Sequence, residues 1–221
     1  MSNNIEDKKG NYEVVRNILS SRYQEVNGYD FYRYIFPDNQ NVGELSGNYS
    51  KPNAIYLYRD EEEDPDRTYR RRIMLNDTWE DDYMNYVECN HKTLCSGLAY
   101  RDKKNRLENA QQMNALVFDL DSVGENELEN LLLRMSKKPG LRTLPEPTFI
   151  VMSGTGLHIY YVFDRPVALY PNIKLQMKAL KYDLTFKMWE YKATSKEKQI
   201  QYQSINQGFR MVGSINDKYN L

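Results

Sequence analysis

The side chains best suited to do chemistry are two aspartates one residue apart. Asp119 and Asp121 close the run Met113-Asn114-Ala115-Leu116-Val117-Phe118-Asp119-Leu120-Asp121, which is apolar and β-prone. In a strand, the side-chain period of two points both carboxylates to one face. Same-face neighbours stand roughly 6–7 Å apart at strand rise, a span that can flank divalent cations held about 3.5–4 Å from each other, as two-metal phosphoryl chemistry requires. Taken alone, Asp121-Ser122 also reads as a turn and cap ahead of a helical stretch.

A second run, Val151-Met152-Ser153-Gly154-Thr155-Gly156-Leu157-His158-Ile159-Tyr160-Tyr161, reads as strand, tight turn, strand. The backbone N–H groups of a Ser-Gly-Thr-Gly turn can receive phosphate oxygens, as glycine-rich nests do. The Gly-Lys-Ser/Thr ending of a Walker A loop is missing. On the return strand His158, Tyr160 and Val162 share one face, and Leu157, Ile159, Tyr161 and Phe163 the other. A third run, Asn206-Gln207-Gly208-Phe209-Arg210-Met211-Val212-Gly213-Ser214-Ile215-Asn216, alternates through Phe209, Met211 and Ile215, with Arg210, Val212 and Ser214 opposite. A fixed Arg210 guanidinium suits a triphosphate, because it binds phosphate oxygens in a bidentate way.

Other elements must hold these runs in place. Apolar residues at Val14, Val15, Ile18 and Leu19 predict a helix over 11–24. Residues 54–58 are the best early strand, and the charge block over 59–72 reads as a solvated loop, its arginines being the rival candidates for phosphate contact. A helix is expected over 79–87 behind Asn76-Asp77-Thr78, then a polar connection over 96–112. Leu128, Leu131, Leu132 and Met135 form one helical stripe over 125–135. Over 172–192, Lys174, Lys178, Lys181, Lys187 and Lys192 alternate with apolar residues, which predicts an amphipathic helix with a basic, solvated outer face. Such a face also suits a template strand.

Composition bounds the reading. A chain of 221 residues with 28% charged side chains and a mean hydropathy of −0.79 can bury a sizeable core. It has no apolar run near the roughly 20 residues a bilayer requires, and the first residues lack a signal-peptide pattern, so a cytoplasmic location and no membrane partner are expected. The formal net charge of −1 excludes a uniformly basic nucleic-acid binder but leaves room for a basic face. Cys89 and Cys95 bracket His91, which reads as two reduced thiols rather than a zinc site.

Taken together, the strand ending Asp-x-Asp, the Ser-Gly-x-Gly-x-His hairpin and the Phe-Arg-x-x-Gly-Ser strand resemble, in that order, the archaeo-eukaryotic primase superfamily. That superfamily includes primase-polymerases and the replication proteins of phages, plasmids and other mobile elements. The resemblance covers about 100 residues, from Asn114 to Asn216. It implies an α+β fold whose catalytic core is an RRM-like, mainly antiparallel sheet over 111–221, beside an N-terminal αβ unit over 1–110. The implied activity is primer synthesis on a single-stranded DNA template from NTPs or dNTPs, by two-metal nucleotidyl transfer with Mg²⁺ or Mn²⁺. Asp119 and Asp121 then hold the metals, Ser153, Gly154, Gly156 and His158 meet the nucleotide's phosphates, and Arg210 and Ser214 lie in the nucleotide pocket. His158 joins the aspartates as a catalytic residue. The chain reads as the N-terminal fragment of a longer protein, with a helicase domain or partner.

One departure bears on the metals. Relatives usually carry a third acid roughly ten residues before the Phe-Arg pair, where this chain reads Gln199-Ile200-Gln201-Tyr202-Gln203. Asp183 is the preferred substitute, ahead of Glu190 and Glu197. Two rival functions follow from the same residues. One is a nucleotide- or DNA-binding replication initiator module with a degenerate site. The other is a haloacid-dehalogenase-like phosphatase, with Asp119 as nucleophile and Asp121 as general acid/base.

Overall fold

The apolar runs pair into one sheet in the computed structural model, which describes residues 2–37, 52–59, 68–89, 92–136, 140–141 and 143–215. Chain order is α1 (Ser2–Arg22), α2 (Gly28–Ile35), β1 (Asn53–Tyr58), β2 (Arg70–Ile73), α3 (Trp79–Asp82) running into a π-helical turn, β3 (Thr93–Tyr100) and β4 (Ala110–Leu120). It continues through α4 (Glu125–Met135), β5 (Phe149–Met152), β6 (Leu157–Ala168), α5 (Pro171–Met188) and β7 (Phe209–Arg210). The strands stand in the order β2-β1-β3-β4-β6-β5, with β7 also paired to β3, and the pairings are antiparallel. The fold is thus α+β with a mainly antiparallel seven-stranded sheet. Among the described residues, no helix is long and apolar enough to cross a membrane.

Strand alternation gives the sheet two buried faces. Leu116, Phe118 and Leu120 of β4, with Leu157 and Ile159 of β6, pack against apolar residues of α1, α4 and α5. Ala115 and Val117, with Tyr160, face the opposite layer, where Phe31, Tyr32 and Ile35 of α2 meet Tyr56 and Trp79. Trp79 stands edge-on to Tyr32, Tyr56 and Tyr83, with ring centroids 5.6–5.8 Å apart. Each such pair contributes about 0.5–1.5 kcal/mol beyond area burial.

The sheet is not continuous along β3. Leu98 and Ala99 pair with β4, but Leu94 and Cys95 pair with Arg210 and Phe209 instead. Where β3 and β4 still touch, only glycine fits, because a Cβ on Gly97 would stand 2.2 Å from the Ala115 carbonyl oxygen. Beyond that point β7 takes β4's place beside β3. This leaves the Asp119 end of β4 facing a gap in the sheet.

Several expectations are corrected. The connection read over 96–112 contains most of β3, whose Ser96, Gly97 and Ala99 hide it from a pattern of large apolar residues. Residues 28–35, for which no element is expected from the sequence, form the helix α2, capped by the Asn27 side chain accepting from Asp30 N at 2.8 Å. The charge block yields β2, in which Arg72 pairs with buried Asp82 at 2.8 Å and lies over the Tyr86 ring. Residues 60–67 and His91 lie outside the described residues. The third run keeps only Phe209–Arg210 as strand. The helix α4 is capped not by Asp121-Ser122 but at Gly124, whose N–H donates to Glu127 Oε2 at 3.0 Å. On α5, Lys181 is buried at 1% exposure while Leu175 and Leu180 face outward, so the basic outer face is broken in both directions.

Candidate active site

The antiparallel register of β4 and β6 sets Asp119 directly opposite His158. Both side chains fall on the face of Val117 and Tyr160, so they meet at the gap beside β7. His158 Nε2 lies 3.6 Å from Asp119 Oδ1, and the imidazole packs against the Phe209 ring at 5.1 Å between centroids. Asp121 follows the last residue of β4 and opens onto the same cavity. That cavity measures about 460 Å³ and is lined by Asp119, Asp121, Ser153, His158, Gln203 and Arg210, among others. Its volume falls in the range of small-molecule sites, about 300–1,000 Å³.

Burial sets the charge state. Desolvation, reinforced by the Asp121 carboxylate, pushes Asp119 up to about 7, while the Lys181 ammonium pulls it back. His158 is driven down to about 4 by burial and by the positive charge of Arg210. The imidazole is therefore neutral at pH 7, and its contact with Asp119 is not an ion pair. Its Nδ1 is buried and has no hydrogen-bond partner among the described residues. The Lys181 ammonium falls to about 8 through burial, opposed by Asp119. It donates to Ser204 O at 2.9 Å and stands 5.9 and 5.3 Å from the Phe118 and Phe209 ring centroids.

The turn is locked onto the end of β4. Ser153 N donates to Gly156 O at 3.0 Å, Val123 N donates to Thr155 O at 3.0 Å, and Gly154 takes a φ of +109° that glycine adopts readily. Gly156 lines neither cavity. A Cβ there would stand 2.4 Å from Leu120 O, so its smallness serves turn-to-strand packing. Ser153, Gly154, His158, Arg210 and Ser214 border a second cavity of about 80 Å³ that adjoins the first and is also lined by Tyr12. Arg210 Nη1 donates to Ile215 O at 2.9 Å, which fixes the guanidinium between the two cavities.

Asp119, Asp121, Ser153, His158 and Arg210 are thus brought together, with Gly154 and Ser214 alongside. Asp183 is not, since it is exposed on α5 while Lys181 and Thr185 of the same helix turn inward. Glu190 pairs with Arg134, and Glu197 accepts from Ser122 Oγ at 2.8 Å. Gln201 and Gln203 occupy the cavity wall instead, and Gln203 Nε2 reaches Asp119 O at 3.4 Å. Sequence reading passes over Gln207, and it places Lys181 on the outer face of its helix. A lysine within a lysine-rich helix carries no sign that it turns inward.

Among the described residues, no three His, Cys, Asp or Glu side chains form a metal-binding cluster. The two carboxylates nonetheless suit a divalent cation. Each raises the other's cost of ionising in a half-closed cavity, and a bound cation removes that cost.

No family model matches the chain, and no curated protein matches it in sequence. In three dimensions it is similar to the AEP domain of the primase-polymerase of cyanophage S-2L, with a TM-score of 0.50 and 12% identity over 88% of this chain and 85% of that one. The two share the fold of the archaeo-eukaryotic primases.

Proposed function

We propose that this chain is a template-directed nucleotidyltransferase of the primase-polymerase kind, making primers on single-stranded DNA from NTPs or dNTPs. The observation that carries this reading is the convergence, at the gap between β4 and β7, of Asp119 and Asp121 with His158, Ser153 and Arg210 around one nucleotide-sized cavity. Residues 111–221 supply that site, and residues 1–110 support it with β1, β2 and β3. Asp119 and Asp121 would hold Mg²⁺ or Mn²⁺, which supplies activation of the attacking hydroxyl and neutralises the leaving pyrophosphate. Arg210 binds phosphate oxygens, the turn N–H groups and Ser153 receive others, and the neutral His158 donates a hydrogen bond without adding charge.

A second reading has one observation in its favour. Glutamines stand at the cavity wall where relatives usually carry a third acid, as in a module that binds nucleotide or DNA without synthesis.

Primer synthesis on single-stranded DNA with labelled ribo- and deoxynucleotides, in Mg²⁺ and in Mn²⁺, separates the two. Metal-dependent products are expected from the parent and none from Asp119→Ala/Asp121→Ala. Arg210→Ala should weaken nucleotide binding by roughly ten- to a hundred-fold, the worth of a charge-assisted hydrogen bond. Nucleotide binding without product from the parent would establish the binding module instead.

A further inference from the structure

The outer face of α5 is unlike a solvated helix face. Leu175, Tyr182 and Phe186 are 66%, 48% and 63% exposed and recur at i, i+7 and i+11, so they form one stripe on the side away from buried Met177 and Lys181. The stripe spans about 16 Å at helical rise. Lys178 lies within it and Lys187 follows its last aromatic. Tyr202, 49% exposed, meets the Tyr182 ring edge-on at 5.2 Å. Seven of the fifteen exposed large apolar side chains among the described residues fall within 170–202, so the exposure is concentrated.

Two features say what covers this face. The first is charge. Residues 171–202 hold seven lysines against three acids in a chain of net charge −1; Lys181 is buried and Lys196 pairs with Glu127, which leaves five lysines, while of the acids Glu190 is paired with Arg134 and Glu197 accepts from Ser122. Aromatic rings interleaved with lysines suit a polyanion that also presents flat bases, whereas an apolar protein surface would leave those lysines desolvated. The second is continuity. Tyr202 sits between Gln201 and Gln203, both of which line the cavity of Asp119 and Asp121. The aromatic pair therefore stands on the rim of the site, and α5 leads away from it.

We propose that the stripe of Leu175, Lys178, Tyr182 and Phe186, continued by Tyr202, is a platform for single-stranded nucleic acid that delivers the strand to the cavity. The inference deepens the template-directed reading and takes its direction from it. Bases stack on Tyr182, Phe186 and Tyr202, and Lys178 and Lys187 follow the phosphates, so binding tolerates any sequence.

The test is fluorescence anisotropy of a labelled oligo-dT with the full chain across a salt series. Tyr182→Ala/Phe186→Ala and Tyr202→Ala should each lose about ten-fold or more in affinity, the scale of one stacked base. Lys178→Glu/Lys187→Glu should lose affinity and show a shallower salt dependence. All these side chains but the half-buried Lys178 are exposed, and far-UV circular dichroism should show the fold of each variant unchanged. Parent-like affinity in the aromatic variants overturns the proposal, as does a parent dimer that these substitutions dissociate, which would make the face a contact between copies. Failure of the catalytic reading looks different. A parent that makes no primer but loses DNA binding in the aromatic variants keeps the platform and discards the synthesis. Primer synthesis and DNA binding that both survive the substitutions do the reverse.

Discussion

Asp119 is the residue where stability and function pull apart. Folded, its carboxyl holds a proton up to about pH 7, whereas its ordinary value is 3.8. Between these limits the unfolded chain binds fewer protons than the folded one, so stability falls as pH rises through that window. Asn at this position keeps the shape and never ionises. In EDTA, Asp119→Asn is expected to be more stable than the parent at pH 8 by roughly 2–4 kcal/mol and equal to it near pH 4. Urea denaturation at both pH values checks this, and a variant no more stable at pH 8 than at pH 4 relative to the parent would refute it. The neighbours fit the same reading. A buried lysine and a neutral histidine are costly choices for a site meant only to be stable, and both act on this carboxylate's surroundings.

Among the elements, those with large apolar side chains at regular spacing are the ones legible in the sequence. The stripe over 125–135 and the hairpin around Ser153-Gly154-Thr155-Gly156 are found where the pattern puts them. β3 escapes because close approach to β4 demands Gly97, which beside Ser96 and Ala99 looks like a linker when no partner strand is in view. The gap in the sheet escapes for a related reason. β7 is two residues long, and nothing in Phe209-Arg210 announces that it displaces β4 from β3. The candidate site was therefore legible as three runs, but not as one cavity, nor with Gln203 in its wall and Lys181 buried near Asp119. Gly156 makes the same point in a testable form. Read from sequence its backbone N–H meets phosphate, and on its Cα side it packs against Leu120 O and the Asp121 backbone. Gly156→Ala should cost about 1–3 kcal/mol in thermal or urea denaturation, as overpacking does, and should weaken nucleotide binding by displacing the turn. Unchanged stability with weakened binding would return Gly156 to the phosphate site.

At the scale of the molecule, the described residues build one sheet with a core on each face, and β3 crosses its centre between β1 and the strands β4 and β7. That arrangement makes the two cysteines reporters of different events. Cys89 is exposed just before β3, whereas Cys95 is buried within it, its Sγ 3.7 Å from Ile55 O on β1. Burial pushes the Cys95 thiol up to about 12. At pH 8 on the order of one such thiol in ten thousand is ionised, and only the thiolate attacks a disulfide reagent. Reagent must also reach a sulfur buried in the core layer of α2, Tyr56 and Trp79, on a strand flanked by β1 and β7, so labelling requires that packing to open. With an aromatic disulfide reagent at pH 8, one thiol per chain should react at once and the second only at the rate of global unfolding, with Cys89→Ser removing the fast phase. If β7 instead opens on its own to admit substrate, Cys95 would react faster than unfolding measured by circular dichroism, and bound nucleotide would slow it. The sheet's cooperativity and the mobility of the gap are thus read from one thiol.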